Sequence, residues 1–119
     1  MTTDKFWLGY DLGLKGDYPS LFKWLDERES IECGNNLAFV TFNYEVNLYE
    51  ELLKSLNETI NFNSTDRIYL ITTADNIPHK SIPNGKEKFP NGRFIIGGRK
   101  AAPWTGYAQK KSPTDTPDG

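Results

Sequence analysis

Cysteine and histidine are nearly missing from this chain: Cys33 and His79 are its only examples among 119 residues. A lone cysteine excludes a disulfide within the chain, and a single histidine with no second soft ligand nearby excludes a zinc-type cluster. Serine nucleophile chemistry is equally unprovided for, because no glycine elbow surrounds a serine and His79 is the only imidazole base. No apolar run approaches the roughly 20 residues that cross a bilayer. A leader is not expected either, since Met1 to Lys5 is polar and Phe6 to Leu14 is interrupted by Gly9, Asp11 and Gly13. These absences predict a cytoplasmic protein that makes no use of a membrane.

What the chain has is aromatic bulk and divided charge. Aromatic residues make up 13%, Trp7, Trp24 and Trp104 among them, and help one short domain reach a stable core. Met1 to Asp75 holds thirteen Asp and Glu against six Lys and Arg, a net of −7. Asn76 to Lys111 holds one acid, Glu87, against eight bases, a net of +7. The pI near 5.4 therefore conceals a basic C-terminal third, and such an asymmetry points to an anionic partner.

Strand periodicity is clear over Lys5 to Leu12, where Phe6, Leu8, Tyr10 and Leu12 share one parity and Trp7, Gly9 and Asp11 the other. Asp11 therefore faces away from the core. After a short loop, Gly13 to Gly16, Asp17 is placed to cap a helix with Pro19 in its first turn, and Tyr18, Leu21, Phe22 and Leu25 form one apolar stripe. Ser30 to Cys33 and Leu37 to Tyr44 read as a hairpin around the turn residues Gly34, Asn35 and Asn36, the second strand looking buried on both faces. Asn47 with Glu50 has the spacing of a capping box, and Leu48, Tyr49, Leu52, Leu53, Leu56 and Ile60 supply the face of a second helix. Arg67 to Thr73 and Arg93 to Arg99 read as further strands.

Two helices with one apolar stripe each need an apolar surface to cover. The predicted architecture is α+β, a ferredoxin-like sandwich with two helices on one face of an antiparallel sheet of four or five strands. Residues 1–108 are expected to form one domain with a basic, proline-rich loop at 74–92, followed by a disordered tail at 109–119. Within that loop, Pro83-Asn84-Gly85-Lys86 and Pro90-Asn91-Gly92-Arg93 are turn signals rather than a structural repeat.

Phe6-Trp7-Leu8-Gly9-Tyr10-Asp11-Leu12, followed by Asp17-Tyr18-Pro19-Ser20-Leu21, resembles the start of Cas2-like and SinR-type small ferredoxin-like proteins, and Asp66-Arg67-Ile68-Tyr69-Leu70-Ile71 is similar to the strand after their second helix. The resemblance covers about residues 5–73. It implies a homodimer and, in nuclease members, a strand-end Asp from both chains that holds a divalent metal. Only Asp11 is able to inherit that catalytic and metal-binding role here.

From the residues themselves, Asp11 on a rigid strand end has the chemistry to fix Mg²⁺ while water and phosphate fill the other positions. The competing role is to cap the Gly13 to Gly16 loop through backbone N–H groups. That loop fits neither the dinucleotide nor the Walker spacing. The basic segment is the stronger signal: Lys86, Lys88, Arg93, Arg99 and Lys100, interleaved with Phe89, Phe94, Trp104 and Tyr107, suit phosphate contacts and base stacking, with Trp104 presented outward. The leading expectation is a non-catalytic regulatory protein that binds nucleic acid, or an acidic protein, through this third of the chain. The alternatives are a Mg²⁺-dependent endonuclease using Asp11 and a protein-interaction module of antitoxin or inhibitor type.

Overall fold

The computed structural model describes residues 1–72 and 92–108. Its elements run β1 (Thr2–Asp11), α1 (Tyr18–Glu27), β2 (Ile31–Gly34), β3 (Leu37–Tyr44), α2 (Leu48–Thr59), β4 (Arg67–Ile71) and β5 (Gly92–Ile96). The strands form one open sheet in the order β2-β3-β1-β4-β5, every neighbouring pair antiparallel. The architecture is α+β with two helices and five strands, and β1 lies at its centre. The expected loop at 74–92 lies outside the described residues except for Gly92, as does the expected tail from 109.

Alternation sorts the strands into two faces. Phe6 and Leu8 of β1, Ala38, Val40, Phe42 and Tyr44 of β3, and Ile68 and Leu70 of β4 are buried in one cluster with Leu21, Trp24 and Leu25 of α1 and Leu48, Leu52 and Leu56 of α2. Burying each of these side chains contributes about 1.5–3 kcal/mol, so this layer holds the fold together. Trp24 sits at its middle, stacked on Phe42, with its indole N–H donating to Ser55 Oγ at 2.9 Å. Arg28 closes the layer from outside, its guanidinium 4.1 Å from the Trp24 ring centroid.

The helix stripe predicted through Phe22 is displaced. Phe22 is half exposed and Trp24 takes the buried place, because the i, i+3 neighbour of Leu21 offers more apolar area to the sheet. The second face of β3 is also less covered than expected: Leu37, Phe39 and Thr41 are only partly buried and Asn43 is exposed. Neither helix crosses that side.

Capping follows the sequence with one exchange. Asp17 caps α1 by accepting from Ser20 N–H and reaches Asn61 N–H at 2.9 Å, while Asn47 caps α2 by accepting from Glu50 N–H. The returning carboxylate is Glu51, not Glu50, and it accepts from the N–H groups of Glu45, Val46 and Asn47. These hydrogen bonds to the charged form hold the Asp17 and Glu51 carboxyls below the usual carboxylate range, the Asn61 and Asn47 N–H groups respectively being the largest causes. Asp66, buried just before β4, accepts from Gly13 N–H at 3.1 Å and Asn63 N–H at 2.7 Å. The loop-tying role considered for Asp11 therefore belongs to Asp66.

At the far edge, β5 is followed by Gly97, whose φ of +72° and a space that would put a Cβ 2.3 Å from the Asp66 carbonyl oxygen admit only glycine. Ala101 to Ala108 makes turns rather than a strand, with Thr105 N–H bonded to Ala102 O and Tyr107 N–H to Trp104 O. No helix among the described residues is long and apolar enough to cross a membrane.

Candidate functional site on the open sheet face

The residues of opposite parity build the uncovered face. Cross-strand register sets Ile31, Phe39, Trp7 and Ile71 in one row across β2, β3, β1 and β4. The next row is Leu37, Gly9, Tyr69 and Phe94, across β3, β1, β4 and β5. Trp7 and Phe39 meet at 5.0 Å between ring centroids, and Tyr69 and Phe94 at 4.8 Å edge to face. Trp7, Ile31 and Ile71 are 42%, 60% and 40% exposed, which makes this an apolar patch open to solvent rather than a second core.

Polar residues border the patch at both ends. Lys5 lies opposite Thr41 at one end, and Asp11 lies opposite Arg67 at the other, where Arg67 Nη2 donates to Asp11 Oδ2 at 2.7 Å. Arg67 also lies over the Phe94 ring at 5.9 Å. Burial pushes the Tyr69 hydroxyl pKa up, and the positive charge of Arg99, in the segment after β5, opposes the shift. Among the described strand residues of this face, Asp11 is the only acid, and it is paired with Arg67. The helices on the other side carry five Asp and Glu against Lys23 and Lys54. The acidic character of the chain thus sits behind the sheet, and its open face is neutral to basic.

The expected site residues divide among these surroundings. Asp11 is on the open face, half exposed. Among the described residues no group of three or more His, Cys, Asp and Glu is able to hold an ion. A Mg²⁺ site of the kind the resemblance implies would need ligands beyond the described residues of one chain. Arg93 projects to the helix side, its guanidinium 4.2 Å from the Tyr49 ring centroid, and not toward Asp11. Arg99 and Lys100 are exposed beyond β5, and Trp104 is 73% exposed. Lys86 and Lys88 lie outside the described residues. Cys33 is an exposed residue of β2.

Sequence reasoning missed the platform of Trp7, Phe39 and Tyr69. The signal was present, since Trp7 has the parity of Asp11 and Phe39 that of Thr41. Only the register shows that these two rings adjoin. Comparison with known protein families, with curated proteins and with solved structures finds no match.

Proposed function

We propose that this protein binds single-stranded nucleic acid across the open face of its sheet. The observation that carries the reading is the adjoining pair Trp7 and Phe39, on the two central strands, next to Tyr69 and Phe94 and bordered by Lys5 and Arg67. Unpaired bases stack on exposed aromatic rings of antiparallel sheets, each worth about 1–3 kcal/mol, and basic side chains at the margin take the phosphates. A duplex offers no such stacking faces, so the geometry favours a single strand. Trp104 and Lys100, exposed in the segment after β5, belong to the basic C-terminal third expected from the sequence to meet an anion.

The finer fold belongs to this reading too. The run β1-α1-β2-β3-α2-β4 with spatial order β2-β3-β1-β4 supports a reading of the chain as a ferredoxin-like sandwich with β5 added at one edge. The nuclease reading has weaker support, because Asp11 engages Arg67 and a metal would depend on a second copy to supply further ligands.

Fluorescence anisotropy with labelled single-stranded RNA and DNA at low ionic strength tests the proposal. Binding should weaken steeply with added salt, as counterion release requires, and Trp7→Ala with Phe39→Ala should reduce it by about tenfold or more. Equal affinity in the double variant would refute it. So would a dimer, seen by sedimentation, that the same double variant dissolves, since the face would then belong to a second copy.

A further inference from the structure

The second row of the open face contains a gap. Gly9 has no side chain, and a Cβ built there would meet nothing closer than 3.9 Å, so the chain leaves a slot between Leu37 and Tyr69. A depression of 260 Å³ opens over it, lined by Gly9, Asp11, Asn36, Arg67, Tyr69 and Phe94. The β2–β3 turn is held against it because Asn36 O accepts from Tyr10 N–H at 3.0 Å. One wall is aromatic and the floor is bare backbone, which suits a flat ring. The polar groups gather at one end.

Their order is specific. Asp11 offers a carboxylate whose Oδ2 accepts from Arg67 Nη2, and Oδ1 lies beside it on a half-exposed side chain. A carboxylate accepts only, and with an arginine donor at its flank the end of the slot presents one donor followed by two acceptors. The Watson–Crick edge of guanine is the complement: the O6 acceptor followed by the N1 and N2 donors. Adenine and uracil each bring a single donor to that edge. Cytosine brings one donor and two acceptors, so one of its lone pairs would face a carboxylate oxygen of Asp11.

Resting on the reading of this face as a single-strand surface, we infer that the slot over Gly9 takes one unpaired guanine, its ring against Tyr69 and its edge read by Asp11 and Arg67. Trp7 and Phe39 stack the neighbouring bases without regard to identity. The face thus divides into a sequence-tolerant platform and one selective position. Asp11 acts here as a binding residue, and the position expected to carry a metal reads a base instead.

Four labelled uridine heptamers test the inference by anisotropy, their central residue being uridine, adenosine, inosine or guanosine. Guanosine should bind about tenfold more tightly than adenosine, the discrimination that a two-bond edge contact supplies, and inosine, which lacks the 2-amino group, should fall between them. Asp11→Asn should erase the guanosine preference, read as the ratio of guanosine to uridine heptamer affinities within that variant. Gly9→Val, which fills the slot from a strand position that accepts a β-branched residue, should do the same. Equal affinity for all four heptamers overturns the guanine slot and leaves the single-strand surface standing. If none of the four heptamers binds, both are overturned.

Discussion

The two faces of one sheet are made by alternate residues of the same strands, and they follow different rules. On the helix side Phe6, Leu8, Val40, Ile68 and Leu70 are fully buried in one cluster with side chains of α1 and α2. On the open side Trp7, Phe39, Tyr69 and Phe94 are of comparable bulk, yet among the described residues no helix covers them. Aromatic area in the first set stabilises the fold. In the second it remains in contact with solvent, where folding gains little from it, so its natural use is to meet something else.

Substitutions should separate the faces. The largest effect belongs to the covered one: Trp24→Ala should cost about 3–5 kcal/mol in denaturant unfolding, since it empties the centre of the cluster and leaves Ser55 Oγ and Arg28 without their ring partner. A loss below 1 kcal/mol would mean that the cluster does not depend on α1. Next comes the link between the layers and the loops: Asp66→Ala should destabilise by about 1–3 kcal/mol, because the N–H groups of Gly13 and Asn63 lose their acceptor.

Trp7→Ala should behave in the opposite way from Trp24→Ala. Its cost in unfolding should stay below about 1.5 kcal/mol, the scale of the Trp7–Phe39 ring contact, while affinity for a labelled single strand drops by about tenfold. If unfolding suffers as much as with Trp24→Ala, the two faces are not distinct in the way described. The smallest effect is on acid stability. The carboxyls of Asp17 and Glu51 are held low in the folded chain, so their contribution is complete above the ordinary carboxylate range near pH 4 and disappears as pH falls through their depressed values. Thermal melts from pH 7 to pH 3 should therefore fall less steeply for Asp17→Asn with Glu51→Gln than for the parent. An unchanged slope would remove the caps from the account.

Most of the architecture is legible in the chain before folding is considered. Alternation in β1, the caps Asp17 and Asn47, and the apolar spacing of α2 are local properties, set by the strand and helix periods and by orphan N–H groups at helix starts. Where local reasoning chose between neighbours it was less secure. Phe22 and Trp24 both suit an apolar stripe, and the choice depends on which one meets Phe42. Glu50 and Glu51 are both near Asn47, and the choice depends on the path of Glu45 to Asn47.

The candidate site divides in the same way. Asp11 could be recognised as an outward carboxylate at a strand end from its parity alone. Its partner Arg67 could not, because the two lie 56 positions apart and meet only through the β1–β4 register. The placement of Arg93 over Tyr49, away from Arg67 and Arg99, is likewise invisible in a run of basic residues.

By itself the sequence determined the periodic elements, the helix starts, the outward direction of Asp11 and the uneven charge, since each depends on residues within a few positions of one another. Tertiary structure alone decided that neither described helix covers one sheet face, that two pairs of aromatic rings from four strands meet on it, and that Gly9 leaves a slot beside Asp11 and Arg67. Those features arise from strand order and register, which join residues that the chain keeps far apart.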